Sequence, residues 1–225
     1  METEMSGKRE REINEYRRLS GRLLTFAGVM IMSAVLIVNV ADYVRSRMAV
    51  SQFAKQKERM ITVSTEDPSE GFEKDVGDSA QNTSLTQKAL ENGEVLGVLR
   101  ISKISLEEGI REGSSSSVIS SALGHMEGTA LPGQTGNCAI AGHRNYVFGR
   151  FFNRLNEIVP GDTVEVDTLD GIYTYEVTKC FTVVPEDLSV LSQNEDKSEL
   201  TLITCTPLFV GSHRLIIRGE LVQNK

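Results

Sequence analysis

The chain has 225 residues, 40% of them hydrophobic and none of them Trp, which suits one globular domain with appended segments rather than two full domains. Its formal charge of -7 and pI near 5.1, with no basic cluster in the C-terminal half, argue against a nucleic-acid partner, because phosphate binding needs a concentrated basic surface. A peptide, a protein or a wall component is the expected partner.

Leu23 to Val40 runs eighteen residues without a charge, and Ala41 extends it before Asp42. That is the lower end of a bilayer-spanning helix. A cleaved signal peptide is the alternative, but its apolar region normally runs about 7–15 residues and is followed by an A-x-A site that is not seen here. The reading adopted is an uncleaved anchor over residues 23–41 behind a cytoplasmic tail of residues 1–22. Lys8, Arg9, Arg11, Arg17, Arg18 and Arg22 precede the span, while Arg45, Arg47, Lys55, Lys57 and Arg59 follow it, so charge alone barely orients it.

Residues 42–93 read as an extracellular stalk and linker. Ala41 to about Met60 is polar with scattered apolar residues, compatible with a helix continuing outward from the anchor. Thr62 to Gly93 then gathers Glu66, Asp67, Glu70, Glu73, Asp75 and Asp78 with Pro68, Gly71 and Gly77, a composition that does not bury a core. A lid over an active site is the functional alternative for this stretch.

The folded domain is expected over residues 94–225. Val95 to Ile101 is β-prone, Ser116 to Leu123 suits one short helix, and Asn137 to Ala141 is a strand candidate ending at Gly142-His143-Arg144. Val147 to Ile158 carries Phe148, Phe151, Phe152, Leu155 and Ile158 at helical spacing, which predicts a helix stopped by Pro160-Gly161-Asp162. Thr163–Val166 and Ile172–Val184 flank a hairpin turn at Asp170-Gly171, and Leu200–Cys205 and Arg214–Val222 supply two further strands. Many short strands with tight turns predict a mainly-β barrel rather than a doubly wound sheet.

Three cysteines, Cys138, Cys180 and Cys205, are an odd number in a chain expected to face an oxidising exterior, so at least one has no partner within the chain. Cys138 and Cys180 lie in apolar strand-like runs, where core filling is the commonest fate and a mutual disulfide the alternative. No C-x-x-C or H-x-x-x-H spacing suggests a metal, and no cofactor is expected. Cys205 differs, because it closes Leu202-Ile203-Thr204 just before Thr206-Pro207, at a strand end where a scaffold hands side chains to a cleft. His143 ends another strand and is suited to moving a proton, and Arg214 opens the last strand as a permanent cation. On pattern alone a Cys205/His143/Arg214 site stands beside the alternative that each residue is structural.

T-L-I-T-C (Thr201–Cys205) with an arginine shortly downstream resembles the T-L-x-T-C…R signature of the sortases, the membrane-anchored cysteine transpeptidases of Gram-positive bacteria. G-H-M-E-G-T-A-L-P-G (Gly124–Gly133), G-N-C-A-I-A-G-H-R (Gly136–Arg144) and C-T-P-L-F-V-G-S-H-R-L-I-I-R-G (Cys205–Gly219) resemble sortase segments in the same order, so the likeness covers Val95 to Val222. The resemblance implies a closed eight-stranded β-barrel, an extracellular catalytic domain, Cys205 as nucleophile, His143 as acid/base and Arg214 as the positive partner. It also implies a thioacyl enzyme formed between Thr and Gly of an LPxTG-like sorting signal and resolved by an amine of the cell wall or by a pilin lysine. Thr204 is a candidate substrate contact, its alternative being an ordinary strand residue.

His213 should point away from the face that Arg214 serves, by strand alternation, and His125 reads as a structural hydrogen-bonding residue. Leu131 to Gly136, L-P-G-Q-T-G, has one residue too many for a sorting signal and reads as a loop. The C-terminal segments resemble both the pilin-polymerising class C sortases, which usually carry an Asp-Pro-aromatic lid anchor and a second C-terminal span, and class D; here Asp67-Pro68 is followed by Ser69 and the sequence given stops at Lys225, which favours class D or a housekeeping-like anchoring role with a peptidoglycan stem peptide as acceptor. A hydrolase of the same fold and a tethered binding module with a structural Cys205 are the rival functions.

Overall fold

The computed structural model describes residues 2–63, 84–91, 93–144 and 151–224. It divides into two compact units, Met1–Tyr43 and Val44–Lys225.

Helix α1 (Glu2–Val63) runs through both. No proline occurs in the chain before Pro68, so nothing in this stretch removes a helical N–H. In the first unit, Ser20–Val38 is long and apolar enough to cross a membrane, and Leu23, Phe26, Met30 and Ile37 stand exposed along it.

In the second unit α1 behaves differently. Ala49 and Phe53, one helical turn apart, are each 3% exposed and pack with Val95 and Val98. Burial of the Phe53 ring contributes about 2 kcal/mol. The helix approaches closely because residue 109 is glycine: a Cβ there would lie 2.7 Å from that of Ala49. Lys57 Nζ meets Asp167 at 2.6 Å, and Arg100 joins Asp167 at 3.0 Å and Glu107 at 3.1 Å, while Arg47 reaches Glu107 at 3.1 Å. The sequence reading had the helix continuing through this stretch but did not foresee this packing. The acidic lead, with its lid alternative, falls largely outside the described residues. From its end, α2 (Leu85–Glu91) is held at its start by Asp170, whose carboxylate accepts from the amides of Leu85 and Thr86.

The expected mainly-β closed barrel of eight strands is what forms. Its strands are β1 (Gly97–Ile101), β2 (Leu106–Glu112), β3 (Leu123–His125), β4 (Gly136–Ala141), β5 (Thr163–Thr168), β6 (Ile172–Val183), β7 (Ser198–Thr206) and β8 (His213–Asn224). They close in the order β1-β2-β3-β4-β7-β8-β6-β5. The one-turn helix α3 (Ser116–Ile119) precedes β3. Pairing is antiparallel except for β2 with β3 and β4 with β7. Leu99, Ile110, Ile140, Val166, Tyr175 and Leu202 fill the interior, as a barrel of this size requires.

Over its described part, the helix expected from Val147 to Ile158 is a series of turns and a 3-10 segment, Leu155–Glu157; Val147 and Phe148 lie outside the described residues. Phe151 adopts a positive φ of 45° and the Phe152 amide donates to His143 O. Phe151, Phe152, Leu155 and Ile158 are all buried in the main core, so the spacing recorded burial, not a helix.

Candidate functional site

The site grows from the parallel pairing of β4 with β7. Gly136 pairs with Ser198 and the register holds to Ala141 with Ile203, an offset of 62. The offset persists past the end of β4. Thr204 Oγ1 donates to Gly142 O at 2.8 Å, and Arg144 Nη1 donates to Thr206 Oγ1 at 2.9 Å, each again 62 residues apart. The Gly142 amide donates to Ile203 O at 3.0 Å. His143 therefore falls at the position beside Cys205. On the other side of β7, Cys205 pairs with Arg214 of β8.

These three residues share a face. Cys138 and Ile140 on β4, Leu200 and Leu202 on β7, and Ile217 on β8 point into the core. Alternation sends the intervening positions outward, Cys205 and Arg214 among them, and His143, two residues past the end of β4, continues the same count. All three are partly exposed. The register thus lines up thiol, imidazole and guanidinium in a row: Cys205 on β7, Arg214 opposite it on β8 and His143 just past the end of β4.

Cys205 lines a cavity of about 210 Å³ with Arg144 and the turn Pro207–Gly211. A Cβ at Gly211 would sit 3.6 Å from Cys205 Cβ and 4.0 Å from Sγ, so glycine keeps the approach to the sulfur open. Arg214 Nη1 donates to the carbonyls of Gly211 and His213, both at 3.0 Å, which fixes the guanidinium on the same turn. Thr204 is 2% exposed with its hydroxyl committed to Gly142 O. His213 is exposed, with Nδ1 beside Ser212 Oγ at 2.9 Å.

The other two thiols are also free. Burial, helped by the charge of Glu112, pushes the Cys138 thiol well up, and burial likewise raises that of Cys180, whose Sγ lies 3.4 Å from Ile158 O. Neither is suited to act as a thiolate. His125 is buried, with Nδ1 2.6 Å from Glu112 Oε2 and Nε2 3.0 Å from Ala130 O; Glu112 is its neighbour in the β2–β3 register.

Sequence reasoning missed two supports. Arg144, adjacent to His143, reaches both Thr206 Oγ1 and Asn156 Oδ1, and the repeated G-H-R/T-C-T offset was the available signal. Buried Asn137 accepts from Thr201 Oγ1 and donates to Val190 O, tying β4 and β7 to the loop between β6 and β7; nothing in its local sequence marks it.

A closed barrel with a cysteine, histidine and arginine aligned on its wall is the class of protein these features define. A family model described as the sortase domain matches residues 99–222. Sortase D of Bacillus subtilis is 34% identical over 135 residues, covering 59% of this chain and 66% of that protein. Sortase SrtE1 of Streptomyces coelicolor is 32% identical over 163 residues, covering 66% and 46%. The chain thus spans about two thirds and about half of the lengths of these curated relatives. Among solved structures, a Clostridium perfringens Sortase D5 transpeptidase matches with a TM-score of 0.56 at 37% identity, covering 61% of this chain and 87% of that one. Sortase C1 of Streptococcus agalactiae matches with a TM-score of 0.56 at 32% identity, covering 64% and 79%. The chain belongs to the sortase family.

Proposed function

We propose that this protein is a membrane-anchored cysteine transpeptidase in which Cys205 is the nucleophile, His143 the proton carrier and Arg214 the fixed cation. The observation that carries the reading is the row itself: three chemically complementary side chains lined up by the register of β4, β7 and β8. The Cys205 thiolate attacks the carbonyl between Thr and Gly of an LPxTG-like sorting signal. As carbon–nitrogen cleavage proceeds, His143 delivers a proton to the departing glycine amine, and Arg214 bears against the developing oxyanion. An amine acceptor then attacks the thioester, returns the thiol and forms the new amide.

Exposed Leu188, Phe209 and Val210 on the loops around β7 offer apolar surface to such a signal. Thr204 is buried with its hydroxyl given to Gly142 O, so a substrate contact by this side chain would have to displace that bond. The apolar stretch Ser20–Val38 supports a single-pass anchor, with residues 42–93 leading to an extracellular barrel. Clients are secreted proteins bearing sorting signals, and the acceptor is an amine of the peptidoglycan precursor. The identities to Sortase D proteins support class D, and the wall amine is taken as acceptor over a pilin lysine on that reading.

The test is cleavage of fluorogenic LPxTG-type peptides by the full chain in detergent micelles, with and without an amine acceptor, for wild type and for Cys205→Ala, His143→Ala and Arg214→Ala. The reading expects cleavage lost in all three variants and a ligation product when amine is present. Cleavage that survives Cys205→Ala would sink it; cleavage without ligation under every amine would make the protein a hydrolase.

A further inference from the structure

Arg144 has no part in the row described above, yet it ties β7 to the 3-10 segment Leu155–Glu157. Its Nη1 donates to Thr206 Oγ1 at 2.9 Å and its Nη2 to Asn156 Oδ1 at 2.8 Å. Thr206 follows the nucleophile directly, and Asn156 lies in the 3-10 segment Leu155–Glu157. The guanidinium lines the Cys205 cavity, and its Nε is buried with no hydrogen-bond partner among the described residues. Neither acceptor is charged, and among the described residues no carboxylate pairs with Arg144. Leaving a buried donor unmatched and a charge uncompensated is costly, a pattern that structure tolerates where function uses it.

Each tether between the His143 segment and β7 attaches beside the nucleophile. Gly142 is held by Ile203 and Thr204, and Arg144 by Thr206, so Cys205 lies between two clamps. Without the Arg144 clamp, the strand would be tied to the histidine segment on one side only. In the register His143 falls beside Cys205 on the β4 side and Arg214 lies opposite it on β8, His213 pairs with Thr206 instead, and Arg144 lines the same cavity as Cys205. Arg144 is thus a permanent cation among the residues that line the Cys205 cavity.

We propose that Arg144 is a positioning residue of this site: it clamps the His143 segment to the strand carrying Cys205 through Thr206 and Asn156, and it holds a fixed positive charge at the wall of the Cys205 cavity. The role in turnover rests on the transpeptidase reading; the clamp and the charge do not. A thiolate beside a cation forms more readily, and a misplaced proton carrier slows turnover more than it weakens binding.

Two readouts on the full chain in detergent micelles test this: the rate of Cys205 alkylation by iodoacetamide as a function of pH, read by mass spectrometry of the Cys205 peptide, and kcat and KM for LPxTG-peptide cleavage. Arg144→Met, which removes the cation from the cavity wall, should slow Cys205 alkylation at pH 7 about fivefold. It should also lower kcat by about 10- to 100-fold with KM little changed. Arg144→Lys, which restores charge without the two-pronged bond, should return alkylation to within about twofold of wild type while kcat stays depressed. Thr206→Val, which keeps the charge and removes the clamp, should lower kcat and leave the alkylation profile in place.

Wild-type alkylation and turnover in Arg144→Met would overturn the proposal, as would equal loss of alkylation in the Met and Lys variants. If Arg144→Met does not melt cooperatively, the contrast between Arg144→Lys and Thr206→Val decides: the same pattern in both readouts refutes separate clamp and charge roles. A charge-dependent alkylation profile in a protein that cleaves no peptide would leave Arg144 as the clamp and fixed charge at Cys205 and refute the transpeptidase reading.

Discussion

Thr204→Val keeps the shape of the side chain and removes one hydroxyl beside Cys205. Thr204 is 2% exposed, and its Oγ1 donates at 2.8 Å to the carbonyl of Gly142, which is itself buried. Valine leaves that carbonyl without its donor, in a place water does not reach. An unsatisfied buried acceptor costs about 1–3 kcal/mol. For a folded unit of this size each kcal/mol moves the melting midpoint by about 2–4 °C, so a mid-range loss lowers it by about 4–8 °C. Thr204→Ser is the control, because it keeps the bond and gives up one methyl, worth about 1 kcal/mol. Calorimetry of the full chain in detergent micelles, with far-UV circular dichroism as the second probe, reads both. Because Gly142 precedes His143, kcat should fall about tenfold or more in the valine variant and little in the serine one. A serine variant less stable than the valine variant, or a valine variant that melts with wild type, would refute the reasoning.

The remaining predictions concern other parts of the barrel unit. At Asp170 burial acts to raise the carboxyl pKa, but hydrogen bonds from Thr86, Leu85 and Ser84 outweigh it and the net shift is downward. Its contribution is therefore present above the unfolded carboxylate value of about 4 and disappears as pH falls through the lower folded one. Asp170→Asn should cost about 0.5 kcal/mol near neutral pH, screened because the residue is exposed, and the gap should close in acid; a gap unchanged near pH 2 contradicts this. Native alkylation should label Cys205 first, Cys180 slowly and Cys138 only on unfolding, since Cys138 is 1% exposed with its thiol pushed up by burial; early labelling of Cys138 would contradict the core placement. Gly109→Val should force Ala49 away from β2, lowering the midpoint by several degrees and opening residues 44–63 to protease, whereas Gly109→Ser at unchanged stability would show the close approach to be relaxed.

Strand alternation and turn residues made the barrel readable. Asp170-Gly171 closes the β5–β6 turn as its chemistry demands, and Thr201 to Cys205 and Arg214 to Val222 lie inside the two strands expected of them. Phe151 to Ile158 was not readable, because apolar side chains dropped into a barrel end from successive turns fall at spacings that imitate a helix. Ala49 and Phe53 were hidden for the opposite reason: two apolar residues on a highly charged helix look like chance until Gly109 and Val98 receive them. His125 found its partner through lateral strand pairing with Glu112, thirteen residues away, which no local pattern encodes. Cys205 and His143 were each legible as strand-end residues, while their adjacency came from register.

Because β4 and β7 run in the same direction, both deliver their chain to the same rim of the barrel, and everything between them is a detour. The segment from Gly161 to Lys197 builds two further strands, β5 and β6, and brings the chain to the opposite rim, where β7 begins; the register of Cys205 with the His143 segment is set by β4, β7 and the Arg144 bonds and not by that segment. Lengthening, shortening or exchanging its loops alters what a visiting peptide meets while the chemistry stays in register. The parallel pair therefore separates selectivity from reactivity within one small fold.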